Sequence, residues 1–170
     1  MTGRRGFRHD EADRPSPRPA GRSRSRAAAG GLLRRACYEE YPMSYTINRT
    51  IEGGDVDAVD TKLRASLAEH GFGVLTEIDV QKTMKSKLDK DMAPYRILGA
   101  CNPKMAWEAI GIEPRVGAML PCNVILRQTD AGVEVSAVDP VASMQAIDNA
   151  ELGRVAGQVR DMLAKAVAAV

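Results

Sequence analysis

Two alternating runs, Ala118–Arg127 and Val133–Val138, flank the turn sequence Thr129-Asp130-Ala131-Gly132. So short a link joins antiparallel strands, because a parallel return needs a crossover of a dozen or more residues. The hairpin therefore sets the character of the sheet. Tyr45–Ile51 alternates too, with Tyr45, Ile47, Arg49 and Ile51 against Thr46, Asn48 and Thr50, and closes on Gly53-Gly54. Phe72–Val80 reads as a strand with Phe72, Val74, Ile78 and Val80 on one face and Leu75, Glu77 and Asp79 on the other. Tyr95–Cys101 is a further strand.

The intervening segments change to helical period. Val56, Val59, Leu63 and Leu67 follow a capping Asp55 and stop at His70-Gly71, where glycine suits the left-handed C′ position. His70 is expected to act as a cation at that helix end. Gln81–Asp91 reads as a short helix whose Lys82, Lys85, Lys87 and Lys90 form a solvated face. Pro103 opens a helix carrying Trp107 and Ile110, stopped by Gly111 and Pro114. The last helix starts near Asp148 or Asn149 and buries Leu152, Val155, Ala156, Val159, Met162, Leu163 and Ala166. No internal repeat and no Gly-rich phosphate loop is present, which argues against a doubly wound nucleotide fold. The expected class is α+β: a single mostly antiparallel sheet with its long helices packed on one face.

With 170 residues, 44% of them hydrophobic, the chain has material for one domain. Residues 1–42 stand apart from it. They hold ten arginines against five acids, whereas the remainder holds 14 bases against 17 acids. Rich in Arg, Pro, Gly and Ser and without apolar period, they read as a disordered tail. Arg4-Arg5 lacks the apolar run of an export signal, and the arginines before Cys37 spoil a lipoprotein box. An Arg-rich transit peptide would require a eukaryotic source. The expectation is a translation start at Met43: Glu39-Glu40 can be encoded as GAGGAG, a ribosome-binding sequence, with Tyr41 and Pro42 as spacer. The domain is then 43–170.

No apolar run reaches the roughly 20 residues needed to span a bilayer. Three cysteines at irregular spacing fit a reducing compartment, so a cytoplasmic setting is expected. An acidic body with only 4% aromatic residues offers neither a phosphate track nor stacking surface, which excludes nucleic acid as the expected partner.

The chemistry-bearing residues are two Cys-Asn pairs beside prolines, Cys101-Asn102 in RILGACNPKMAW and Cys122-Asn123 in MLPCNVIL, both embedded in core-like residues. Two readings stand side by side. In the structural one, Asn102 caps the helix opened by Pro103, and Cys122 is buried with Leu120, Val124 and Leu126. In the functional one, the helix N-terminus after Cys101 lowers its thiol pKa, Gly99 admits a close neighbour, and Asn123 seeks a partner in mid-strand. The face away from the long helices would then carry Glu77, Asp79, Arg96, Asn123, Arg127 and Glu134, with Leu75, Leu98, Met119 and Ile125 between them. Such a half-polar face suits a dimer contact or a ligand cleft.

The candidate ligand-binding set is thus Cys101, Asn102, Cys122, Asn123, Glu77, Asp79 and Arg96, for a ligand-binding or thiol-sensing module. One alternative is an enzyme with Cys101 as nucleophile, although neither His9 nor His70 is placed as its base. The other is soft-metal binding through Cys101 and Cys122, with Met92, Met105 and Met119 as Cu(I)-type donors, although no C-x-x-C occurs. Which cofactor, if any, the chain takes is unknown from the sequence.

Three segments, TEIDVQKTMKSKL (Thr76–Leu88), PYRILGACNP (Pro94–Pro103) and LPCNVIL (Leu120–Leu126), are together similar to the domain of unknown function 302, a family of small bacterial and archaeal proteins. The resemblance extends over Met43–Val170, including VDP at Val138–Pro140 and the last helix. It implies a sheet with helices on one side, in an arrangement like that of the TATA-binding protein, and a homodimer. It implies no activity. The chain departs from the pattern at DKDMAPY (Asp89–Tyr95), where the family would place glycine and an aromatic residue.

Overall fold

A computed structural model describes residues 44–170. The expectations for the tail and for a start at Met43 lie outside the described residues. The order is β1 (Thr46–Glu52), α1 (Val56–Glu69), β2 (Gly73–Asp79), α2 (Val80–Leu88), β3 (Tyr95–Cys101), α3 (Pro103–Ile112), β4 (Cys122–Thr129), β5 (Gly132–Val138), α4 (Pro140–Ser143) and α5 (Ala150–Ala168). The five strands form one sheet in the order β1-β5-β4-β3-β2, and every neighbouring pair is antiparallel. This is the expected α+β class.

Local chemistry accounts for most element ends. Asp55 Oδ1 accepts from the backbone N–H groups of Asp57 and Ala58, each at 3.0 Å, and so caps α1. At its other end His70 closes the helix, and Gly71 takes the positive φ of 83°. Asn149 settles the start of α5 by accepting from Leu152 N–H at 3.0 Å. Residues Pro114–Met119, of which the alternation assigned Ala118 and Met119 to the fourth strand, form a 3-10 turn. Pro114 sits at its first position, and Glu113 accepts from Arg115 N–H.

The core fills one side of the sheet. Leu63 and Leu67 of α1, with Leu163 and Ala166 of α5, pack on Leu98, Ala100, Val124, Leu126, Val133, Val135 and Ala137. Burying each of the larger apolar side chains contributes about 1.5–3 kcal/mol. A second cluster joins α3 and the 3-10 turn to the first half of α5 through Ala109, Val116, Leu152 and Val155. Helix α3 turns Met105 and Ala109 inward, so its period carries Trp107 out, 83% exposed. The core-like appearance of that residue in the sequence is corrected.

The largest departure is in β2. Its pairing with β3 slips between Val74 and Thr76, a bulge that places Leu75 out of register. One extra residue exchanges the two faces of everything beyond it. Glu77 and Asp79 now stand opposite Leu98 and Arg96, on the helix side, while Ile78 stands opposite Ile97 on the other.

Candidate functional site

The seven candidate residues divide into groups. Arg96 and Glu77 were expected on the face away from the helices; they lie instead in an ion network with α1. Arg96 Nη1 donates to Asp60 at 2.7 Å and Nη2 to Asp57 at 2.8 Å, while Arg64 donates to Asp60 at 2.9 Å and to Glu77 at 2.5 Å. Asp60 is only 8% exposed, so the two guanidinium groups supply the partners its carboxylate needs. Leu98, expected on the same outer face, is fully buried in the core. Asp79 is occupied locally, accepting from Lys82 N–H at 2.8 Å as the N-cap of α2.

The outer face does carry Asn123, Ile125, Arg127 and Glu134. Register partners share a face, and the structure pairs Gly99 with Asn123, Ile97 with Ile125, and Arg127 with Glu134. Arg127 Nε and Nη2 grip the two Glu134 carboxylate oxygens, each at 2.8 Å. That hydrogen bonding holds the Glu134 carboxyl below its ordinary value against an opposing effect of burial. Gly99 does admit a close neighbour, but it is protein. A Cβ there would overlap the Thr76 hydroxyl and lie 2.7 Å from Pro121 Cγ.

The two thiols converge. Ala100 pairs with Cys122, which brings Cys101 at the end of β3 beside Cys122 at the start of β4. Both line one cavity of about 30 Å³ enclosed by β3, β4, α3 and α5. Its other walls include Asn102, Met105, Leu120, Met144, Leu152 and Val159. Among the described residues of this lining, the thiols carry the only ionisable side chains. Cys122 is 6% exposed; Cys101 is half-buried.

Burial pushes the Cys101 thiol up from its ordinary value. Burial, with a contribution from Cys101 nearby, pushes Cys122 up to about 11. The expected acidification of Cys101 by the α3 terminus is therefore corrected. Asn102 Oδ1 already accepts from Lys104 and Met105 N–H, each at 3.1 Å, so the donors at this terminus are taken by the cap. Desolvation of the thiolate then prevails. Asn102→Ala is expected to cost about 1 kcal/mol of stability, measured by urea denaturation, as for the loss of an N-cap.

Asn123 is exposed and lines an outer cleft of about 270 Å³ with Met119, Pro121, Cys122, Ser143 and Met144. Leu120, Cys122 and Met144 border both this cleft and the inner cavity. Sequence reasoning missed Met144, whose position depends on the short α4 folding back toward α5. Among the described residues, no three His, Cys, Asp or Glu side chains gather into a metal-binding group. His70 Nδ1 donates to the Ser66 carbonyl at 2.8 Å.

A five-stranded antiparallel sheet backed by helices, with paired thiols where two central strands meet α3, defines a class of small α+β domain. The chain belongs to the family described as Domain of unknown function DUF302, whose family model matches residues 47–170. It is also similar to a solved structure, the uncharacterized conserved protein DUF302 from Bacillus stearothermophilus. Identity is 22%, the TM-score is 0.70, and the match covers 74% of this chain and 98% of that one. That likeness is one of fold. No curated protein matches the sequence. Among the described residues, no helix is long and apolar enough to cross a membrane.

Proposed function

We propose that the protein is a binding or thiol-sensing module that works through Cys101 and Cys122. The observation that supports this reading is the meeting of two thiols from adjacent strands in one apolar cavity. A covalent enzyme with Cys101 as nucleophile is the less favoured reading. It would need a base within hydrogen-bond reach, and the described residues of the cavity lining supply none. Raised thiol pKa values also keep both groups protonated near neutral pH, whereas a nucleophile needs its thiolate. A cytoplasmic, reducing setting belongs to the same reading, since both thiols are free. So does a homodimer, for which Ile78 and Leu75, exposed at the β2 edge, offer apolar surface.

The reading is tested by timed alkylation of the folded full-length chain, followed peptide by peptide by mass spectrometry. Half-buried Cys101 is expected to label before Cys122, and Cys122 to label appreciably only in denaturant. Both rates should climb as the pH is raised past 9, because burial raises both pKa values and only the thiolate reacts. Equal and negligible labelling of both in the folded state would make them inert core thiols and end the proposal.

A further inference from the structure

We infer that the cavity is a Cu(I) site, held by the thiols of Cys101 and Cys122 and the thioethers of Met105 and Met144. The inference rests on the thiol-centred reading above and names its ligand.

Size is the first argument. About 30 Å³ is room on the scale of a water molecule, far below the roughly 300–1,000 Å³ of pockets that take organic ligands. The space suits an ion. Donor chemistry is the second. Four sulfur-bearing side chains from four parts of the fold line this one cavity: the end of β3, the start of β4, the first turn of α3, and the residue after α4. Among the described lining residues Asn102 is the one amide, and its oxygen is committed to Lys104 and Met105 N–H. A set of thiolates and thioethers without imidazole or carboxylate selects a soft cation. Zinc would want four ligands drawn from thiolate, imidazole and carboxylate, and the described lining residues provide two.

The charge balance is direct. Each thiol that binds gives up its proton, so one Cu(I) entering releases two protons and leaves a bis-thiolate centre with one net negative charge. No electron is transferred. Flexible thioethers adjust to an ion without repacking the surrounding core. Cys122 and Met144 also border the outer cleft, which supplies a route from solvent.

The test uses the full-length chain carrying Cys37→Ser, which removes the third thiol. Cu(I) is supplied without oxygen in competition with a chromophoric Cu(I) chelator. Equimolar binding is expected. Cys101→Ala and Cys122→Ala should each weaken it by ~100-fold, and Met105→Leu and Met144→Leu, which conserve volume, by ~10-fold. X-ray absorption of the unmodified site gives a readout independent of whether a variant folds: only sulfur neighbours are expected around copper. Absence of binding, binding indifferent to both cysteine changes, or nitrogen or oxygen neighbours would each overturn the inference. Alkylation of the same protein separates the two ideas. If copper does not bind but Cys101 still labels first, the copper inference falls alone; if neither thiol labels, the thiol-centred reading falls with it.

Discussion

Replacing Arg96 by methionine is expected to lower the unfolding free energy by about 2–3 kcal/mol, measured by urea denaturation. Removing one partner of a buried ion pair costs about 3–5 kcal/mol, because the remaining charge stays desolvated. Here Asp60 would lose the 2.7 Å bond from Arg96 but keep the 2.9 Å bond from Arg64, so the loss is partial. The arm to exposed Asp57 adds little, since surface pairs contribute about 0–1 kcal/mol. Arg96→Lys keeps the charge but cannot span Asp57 and Asp60 with separate nitrogens of one fork, and should recover only part of the loss. Native-state labelling of Cys101 should be unchanged in both variants, because Arg96 does not line the sulfur cavity. Unchanged stability with altered labelling would mean that Arg96 serves the site and does not brace α1.

Gly132→Ala is expected to cost about 3 kcal/mol, at the upper end of the range for strained backbone. Gly132 has φ of 132°, a conformation that residues with a Cβ rarely adopt. An added Cβ would also overlap the Ile51 carbonyl oxygen and lie 3.0 Å from both Glu52 Cα and Gly53 N. All three obstacles are main chain of β1 or its end, so no side-chain rotation relieves them. Gly153→Ala is the matched control. It lies in α5, its Cβ would meet nothing within 4 Å, and the change should stabilise by about 0.5–1 kcal/mol. A fall in the urea midpoint for Gly132→Ala no greater than a few tenths of the expected amount would show that β1 can move away from the hairpin.

The features legible in the sequence were those with local causes. The β4–β5 hairpin follows from alternation around a short turn. The caps at Asp55 and Asn102 need only a side chain reaching N–H groups two or three residues on. The stripe of α5 is a matter of helical period, and Leu152, Val155, Ala156, Leu163 and Ala166 are buried as that period requires. These choices are made within a turn or two of chain, so they leave a periodic mark.

The bulge at Leu75 left no such mark. Its cause is how β2 meets β3, and its consequence is that Glu77 stands beside Arg64 and Arg96 and not on the outer face. The same limit holds at the thiols. Local sequence placed Cys101 before a helix terminus and so anticipated a lowered pKa, but the thiol's charge is governed by desolvation from the cavity walls, which come from distant segments. Met144 joins those walls only after the chain has passed through β5 and α4. By itself the sequence determined the strands, the longer helices, most of their ends and the family. Tertiary structure alone decided which faces the β2 and β3 charges occupy and which sulfurs meet, because strand register and cavity walls are set by contacts between residues far apart in the chain.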